Sequence, residues 1–323
     1  MPDKARVIRK AFLLGAGLGT RLRPLTDILP KPLVPLFHRP LVEWAMKACE
    51  EAGVTEFAIN THHLPERWKI PRRQGYGGQA ADGGWLMADG EGRVCKGGNG
   101  LVAENAVWKG KPVSLFQEPV LLETGGGIKN IEAWVGDDDV LVHNGDIYSS
   151  MPLEKLMAAH EASGNVVTLA LRSDGVAKHI AIEDGQVLDI RKMLGKAEGT
   201  HVFSGIYVFS PSLLEKIPAG EKVSVIPAFL ELAKEGKLGG VVLDEGLWFD
   251  LGDAESYLAA HRELGLAEAI HADAVISPEA VVERSVIGPG AVVGAGAVVR
   301  DSVLWPGVVV KEGAVVEGEI VCR

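Results

Sequence analysis

Cysteine is scarce and scattered: Cys49, Cys95 and Cys322 lie far apart, and no two stand at C-x-x-C spacing. That excludes a zinc ribbon or a dithiol redox motif, and the three thiols read as buried or incidental. Basic charge is in deficit as well. Lys and Arg number 33 against 43 Asp and Glu, a net charge of −10. General nucleic-acid binding needs a basic surface, so no nucleic-acid partner is expected. No run of 18 or more apolar residues occurs, and the charged stretch Met1 to Lys10 lacks the apolar centre of a signal peptide. The chain is expected to be cytoplasmic and to have no membrane partner.

What the chain does have is length and core material. Its 323 residues suffice for two domains, and 47% hydrophobic content is that of a globular protein. Near the start, the apolar run Ala11 to Leu14 stops at Gly15-Ala16-Gly17-Leu18-Gly19-Thr20-Arg21. This reads as a buried strand entering a glycine loop. Glycines let a backbone approach a ligand and present its N–H groups. Arg21 follows at once, and Lys31 stands ten residues on between Pro30 and Pro32. Arg can hold two phosphate oxygens together, and Lys acts as a point charge. In an acidic chain, this local positive charge points to a phosphate grip.

Downstream, helix and strand patterns alternate. Pro40 to Ala52 reads as a helix ended by Gly53, and Thr55 to Asn60 as a strand, which makes a βαβ unit of a parallel sheet. Residues 70–100 are crowded with glycine, reading as a mobile surface insertion and a candidate lid. Further strands are expected at Pro112 to Gln117, Val140 to Val142, Val166 to Leu171, Phe203 to Phe209 and Leu247 to Asp250, with a hairpin across Glu183-Asp184-Gly185. Helices are expected from Thr124 through Trp134, Leu153 to Ser163, Val225 to Lys234, and from an Asp253 N-cap to Leu264.

Three more clusters carry chemistry. Asn144-Gly145-Asp146 ends a buried strand, where ligands of open α/β sheets bind. Asp146 there suits Mg²⁺, which takes few carboxylates beside phosphate oxygens and water. The neighbouring His143 receives no role. Trp248-Phe249-Asp250-Leu251-Gly252-Asp253 brings a second carboxylate, Asp250, after a short strand, with Asp253 as a cap. Glu123-Thr124-Gly125-Gly126-Gly127 opens a helix with three glycines, against which a flat base can lie while N–H groups read its edge.

The tail has a different period. Apolar anchors fall at Val275, Val281, Val286, Val292, Val298, Val303, Val309, Val315 and Ile320. Their spacings of 6, 5 and 6 sum to 17 residues per coil. That is a hexapeptide repeat shortened by one residue, the signature of a parallel β-helix, with polar corners such as Glu283-Arg284-Ser285. Three coils form a small solenoid that needs a cap or a partner.

In this order, the four clusters resemble the sugar-1-phosphate nucleotidyltransferases, over roughly residues 10–265. Gly19-Thr20-Arg21 with Pro30-Lys31-Pro32 matches the family's activating signature. Asp146 after Asn-Gly and Asp250 in Trp-x-Asp-x-Gly match its two metal carboxylates. The resemblance implies an α/β fold: a Rossmann-like mixed-sheet domain over 1–266, with the insertion, then a short left-handed parallel β-helix over 267–323. It implies transfer of a nucleotidyl group from an NTP to a sugar 1-phosphate, releasing pyrophosphate, with Mg²⁺ as cofactor. Arg21, Lys31, Asp146 and Asp250 are the implied catalytic residues, and Asp146 and Asp250 the metal ligands. The nucleotide falls to Leu14, Gly15, Ala16, Gly17, Gly19, Thr20, Glu123, Thr124, Gly125 and Gly126, and the sugar to Asn144, Gly145, Lys192 and Gly205.

The chain departs from the family pattern in places. Ala16-Gly17 replaces the usual glycine pair. The Glu-Lys-Pro sugar-site run is missing, and Ile190-Arg191-Lys192 stands about where it belongs. The base loop, with Phe203-Ser204-Gly205-Ile206, looks most like the N-acetylmuramate-1-phosphate uridylyltransferases, which favours UTP. Mannose- or heptose-1-phosphate guanylyltransferases and glucose-1-phosphate thymidylyltransferases are the alternatives, and a non-catalytic regulatory subunit is a different class. An acyltransferase β-helix usually needs a catalytic His by its coils, and only His271 is near. The solenoid is instead expected to serve homo-oligomer contact.

Overall fold

The apolar run at the start becomes a strand, Lys10–Leu14, and the main sheet grows outward from it. The computed structural model of the chain describes residues 7–68, 86–87, 95–96, 102–265 and 269–323. Lys10–Leu14 pairs in parallel with Glu56–Thr61 on one side and Val140–Asn144 on the other. Glu56–Thr61 pairs in parallel with Lys111–Gln117. Antiparallel Val202–Phe209 follows Val140–Asn144, and beyond it lie Val167–Arg172, Leu238–Val242 and the hairpin Ile180–Glu183/Gln186–Ile190. With Val102–Trp108 and two short pieces at the far edge, the described residues form a twelve-stranded mixed sheet.

Strand and helix patterning accounts for most of this. Leu41–Glu51 buries Leu41, Val42, Ala45, Met46 and Cys49, a helical stripe against the sheet. Gly53 then takes φ 104°, a turn that L side chains avoid. The hairpin turns on Asp184 and Gly185, both at positive φ, as a two-residue loop between twisted strands requires. Asp253 caps the helix Ala254–Leu264, accepting from Ser256 N at 3.0 Å while Ser256 Oγ accepts from its own N–H. Two apolar cores sandwich the sheet.

Some expectations shift. The helix from the glycine triplet breaks at Ile131 into Glu123–Asn130 and Glu132–Val135. The strand Leu238–Val242, with two glycines in five residues, lacked a sequence signal, yet its Gly240 admits the side chains of Ile182 and Leu171. The mobile lid expected at 70–100 lies outside the described residues, apart from 86–87 and 95–96, which pair with Val102–Trp108. Cys49 is buried among apolar atoms, which pushes its thiol pKa upward, as the incidental reading expects.

The tail forms three parallel three-stranded sheets. Val275, Val292 and Val309 stand in register, as do Val281, Val298 and Val315, and Val286, Val303 and Ile320. The 17-residue coil is thus the observed repeat. Arg284, Asp301 and Gly318 each turn a shortened corner at positive φ. The interior is filled one residue after each laddered anchor, by Ile287, Val293, Val299, Leu304 and Val310. Val275 and Val309, 61% and 64% exposed, face outward. A period fixes the coil length but not the phase, because successive strand residues face opposite sides.

Candidate active site

Leu14, Asn60 and Asn144 lie abreast at the carboxyl ends of three parallel strands. The glycine loop leaves from the middle one. Gly15 N donates to Asn60 Oδ1 at 2.7 Å, and a Cβ on Gly15 would meet Asn60 O at 2.6 Å. Only glycine fits there. Gly19 takes φ 61° and its carbonyl accepts from Thr26 Oγ1 at 2.9 Å. Around Gly17 nothing stands within 4 Å of a Cβ. The N–H groups of Gly17, Leu18 and Gly19 donate to no oxygen among the described residues. Free, solvent-facing amides at a strand end suit an anion.

Lys31 sits on a short 3₁₀ turn and is buried, with its Nζ 2.6 Å from Asp146 Oδ2. Gly145 N donates to Leu14 O at 2.9 Å, which ties the Asp146 loop to the glycine loop. A two-stranded ribbon then brings in Asp250: Ile147–Ser149 pairs with Trp248–Asp250, and Ile147 faces Asp250. Leu251 N also donates to Asp146 O at 3.3 Å. Partial loss of hydration raises the Asp250 pKa, and the charge of Asp146 raises it further. Arg21 completes the cluster. Its guanidinium lies over Gly252, where a Cβ would come within 2.9 Å of Nη2. Arg21 and Lys31, from the stretch after the first strand, therefore converge with Asp146 and Asp250 from two distant segments.

The base loop is wired to the same place. Asn60 Nδ2 donates to Glu118 Oε1 at 2.7 Å, and Leu122 N donates to Glu118 Oε2 at 2.9 Å. Burial holds the Glu118 carboxyl above its ordinary range. Asn60 and Glu118 escaped the sequence reading, though each is a polar residue closing an apolar strand, the available signal. Gly127 leaves room for both, since a Cβ would meet Asn60 Nδ2 at 2.8 Å. The N–H groups of Gly125 and Gly126 both go to Val223 O, at 2.8 and 3.0 Å. Their Cβ positions are filled by the backbone of residues 221–224. These glycines thus serve chain packing, and the two amides expected to read a base edge are engaged by a protein carbonyl. Glu123 and Thr124 stand at the front of the loop, Glu123 at φ 61°, and Thr124 Oγ1 accepts from Val225 N at 3.0 Å.

A cavity of about 220 Å³ opens beside Asp250. Asn144, Phe203, Gly205, Trp248 and Arg191 line it. Gly205, at φ 76°, lets Asn144 Nδ2 approach, because a Cβ would meet it at 2.6 Å. Lys192 is turned away. It does not line the cavity and pairs with Glu198 instead. Arg191 and Lys192 are both left-handed, at φ 54° and 58°, a conformation costing roughly 1–2 kcal/mol per L residue. It is held by Asp189, whose two oxygens accept from Leu194 N at 3.0 Å and Lys196 N at 2.9 Å. Of the two, Arg191 lines the cavity and the expected Lys192 does not. His143 is buried and neutral, its pKa pushed down to about 4 by desolvation, and Nδ1 meets Asn144 O at 2.8 Å.

The donor set can be tested against a metal. Asp146 and Asp250 are two carboxylates that repel each other at one site, and the described residues hold no cluster of three or more metal-binding side chains. That fits Mg²⁺, which completes its shell with phosphate and water. It does not resemble a closed structural site.

Comparison with known proteins agrees with this geometry. The nucleotidyl transferase family profile matches residues 10–265, and a GlmU-like C-terminal hexapeptide profile matches 258–323. The chain is 27% identical over 301 residues to a mannose-1-phosphate guanylyltransferase of Mycobacterium tuberculosis, covering 87% of this chain and 75% of that one. It is 26% identical over 268 residues to a UTP–glucose-1-phosphate uridylyltransferase of Synechocystis, covering 78% of this chain and 62% of the relative's length. Among solved structures, a UTP-bound UGPase from Acinetobacter baumannii matches with a TM-score of 0.61 at 18% identity, over 81% of this chain and 95% of that one. A thymidylyltransferase-like protein from Bacillus anthracis, described as a putative glucose-1-phosphate thymidylyltransferase, gives 0.59 at 16%, over 79% and 94%. With its strand-end glycine loop, its paired carboxylates and a profile match spanning most of its length, the chain belongs to the nucleotidyl transferase family.

Proposed function

We propose that this protein transfers a nucleotidyl group from an NTP to a sugar 1-phosphate, releasing pyrophosphate. The observation that carries the reading is the convergence of Arg21, Lys31, Asp146 and Asp250 beside free loop amides and a sugar-sized cavity. The sugar phosphate is already ionised at neutral pH, so no side-chain nucleophile or base is needed. The obstacle is repulsion between two anions, which positioning and charge neutralisation remove. The amides of Gly17 to Gly19 and the Arg21 guanidinium hold the triphosphate. Lys31 exchanges its ion pair with Asp146 for the α-phosphate and the incoming phosphate oxygen. That oxygen forms the new bond to α-phosphorus as the bond to pyrophosphate breaks in line. Asp146 and Asp250 hold Mg²⁺, which supplies Lewis-acid neutralisation of phosphate charge when bound.

Glu123 and Thr124 face the base, and UTP is the nucleotide we assign on the resemblance of that loop. The cavity takes the sugar against Asn144 and Gly205, with Arg191 rather than Lys192 as the residue nearest its phosphate; Gly145, expected at the sugar, does not line it. We place the transferase domain at 1–266 and the β-helix at 267–323. No described helix is long and apolar enough to cross a membrane, and we assign the protein to the cytoplasm. The outward Val275 and Val309, in one ladder and both more than half exposed, supply an apolar face for a homo-oligomer.

The test is pyrophosphate release from purified protein with each of four NTPs and a panel of sugar 1-phosphates. Release should require both substrates and Mg²⁺, with UTP the best nucleotide. Absence of release for every pair would refute the transferase, and preference for another base would refute UTP alone.

A further inference from the structure

The Lys31 loop is held at its far end by something other than the substrate site. After Lys31, the chain passes through Val34 into a small hairpin, Pro35–Leu36 against Arg39–Pro40. Two groups of that hairpin bond to the helix Ala254–Leu264. Tyr257 OH donates to Pro35 O, and Phe37 N donates to His261 Nε2 at 3.0 Å. His261 Nδ1 meets Tyr257 O at 2.9 Å. Since Nε2 accepts, Nδ1 carries the proton and the ring is neutral. Burial, which pushes the His261 pKa down to about 4, keeps it so. Phe37 is itself left-handed at φ 52°, so the hairpin is fixed in a shape it would not adopt unaided.

The same helix begins at Asp253, three residues after Asp250. It thus holds the Asp250 segment at one end and the Lys31 hairpin along its side. The chain of bonds then leaves the transferase domain. Trp305 Nε1, in the second coil of the β-helix, donates to Tyr257 OH at 3.3 Å, and both groups are buried. The hydroxyl therefore both donates, to Pro35 O, and accepts, from Trp305 Nε1. Around it the third outward ladder of the solenoid is covered: Val286 and Val303 are each 4% exposed, and with Trp305 they line the same small cleft as Pro35, Phe37 and His38. The other two ladders keep exposed members, Val275 and Val309 in one and Val281 and Val315 in the other. A solenoid face that is buried on one hairpin has a defined mechanical role there.

We infer that the β-helix positions the catalytic lysine: Trp305 and Tyr257 are positioning residues that fix the Lys31 hairpin relative to Asp146 and Asp250. Lys31 must give up Asp146 for phosphate during the reaction, so the loop has to keep its place while its ion pair is exchanged. A clamp on Pro35 O and Phe37 N, set by the second domain, provides that. The inference rests on the transferase reading for its catalytic consequence, but the clamp has its own readout.

The test compares the parent with Tyr257→Phe, with Trp305→Phe as the second variant in case the first folds poorly, and with Arg284→Ala as a control. Arg284 pairs with the Asp301 carboxylate on an exposed corner of the same solenoid and touches neither Tyr257 nor Trp305; the contact of Arg262, on the clamp helix, with Asp301 O at 3.3 Å does not involve the Arg284 side chain. Two quantities are measured: amide hydrogen exchange at Leu33, Val34 and Phe37, and kcat and KM for both substrates. The clamp variants are expected to exchange these amides at least about tenfold faster and to lose about tenfold in kcat while KM for the NTP stays within about twofold. Arg284→Ala should leave both unchanged. Unchanged exchange in a folded clamp variant overturns the inference, as does a loss of kcat in the control equal to that in the variants. A parent that releases no pyrophosphate with any substrate pair refutes the transferase reading instead, and exchange alone then decides the clamp.

Discussion

Gly252→Ala separates what the site needs for function from what the chain needs to fold. Gly252 does not have positive φ, so alanine suits its backbone. A Cβ there would lie 2.9 Å from Arg21 Nη2, 3.2 Å from Cζ and 3.3 Å from Nη1, and it meets no backbone atom among these nearest three. The guanidinium must retreat by roughly half an ångström to reach ordinary contact, and as the end of a flexible side chain it can. The fold should hardly notice: the change in unfolding free energy is expected within about 0.5 kcal/mol. The phosphate should notice. Displacing a positioned guanidinium by that amount is expected to cost about tenfold in kcat/KM, or about 1.4 kcal/mol of transition-state stabilisation. Gly15→Ala is the contrast, because its Cβ meets the Asn60 carbonyl at 2.6 Å and strains the sheet end itself. Urea denaturation and initial rates of pyrophosphate release measure both variants. Full activity in Gly252→Ala would refute the placement of Arg21 at the reacting phosphates, and a large loss of stability would refute the packing argument.

Other perturbations test the supports. Asn60→Ala strands the Gly15 N–H and a Glu118 oxygen, both buried, and should cost about 2–4 kcal/mol in urea denaturation; a loss below 1 kcal/mol would contradict the network. Glu43 is buried beside Trp108, and desolvation raises its pKa from 4.5 to about 7. Its folded form keeps the proton, so the stability it contributes is complete below pH 4.5 and is lost as pH rises through about 7. Relative to Glu43→Gln, the parent should lose about 3 kcal/mol across that window, and parallel pH–stability curves would contradict the burial argument. His261, held near pKa 4 by burial, has the opposite sign: its contribution is present above pH 6.5 and disappears as pH falls through about 4. His261→Gln should flatten that acid limb of the curve, and an unchanged limb would refute the neutral ring. Arg191→Ala should raise KM for the sugar 1-phosphate about tenfold with KM for the NTP unaffected, and the reverse pattern would move the phosphate contact elsewhere.

The ordered segments of this fold were legible where one periodicity ruled. The run Ala11 to Leu14, the helix after Pro40 and the 17-residue coil each repeat a pattern that backbone geometry allows in one way. Leu238–Val242 is illegible because its glycines give no pattern; Gly240 admits Leu171 and Ile182, and Gly239 admits Asn165, which only the folded sheet brings near. The site divides similarly. Arg21, Lys31, Asp146 and Asp250 stand in short motifs whose local sequence carries the chemistry, and they converge. Asn60 and Glu118 matter through a contact across 58 positions, which no local motif records. Arg191 lines the cavity and Lys192 does not, and nothing in Ile-Arg-Lys announces the positive φ that both adopt. The glycine triplet reads toward a ligand in sequence, whereas in the fold residues 221–224 fill the space at Gly125 and Gly126, and Asn60 and Glu118 that at Gly127.

The central claim is that Lys31, Asp146 and Asp250 form the transfer site, and Asp146→Asn tests it most directly. The substitution keeps the shape and a hydrogen-bond acceptor for Lys31 but removes one of two carboxylates at the metal position. With UTP and the best sugar 1-phosphate in Mg²⁺, pyrophosphate release should fall by at least about a hundredfold while thermal unfolding stays within a few degrees of the parent. Release within a few-fold of the parent, in a folded variant, would contradict the account.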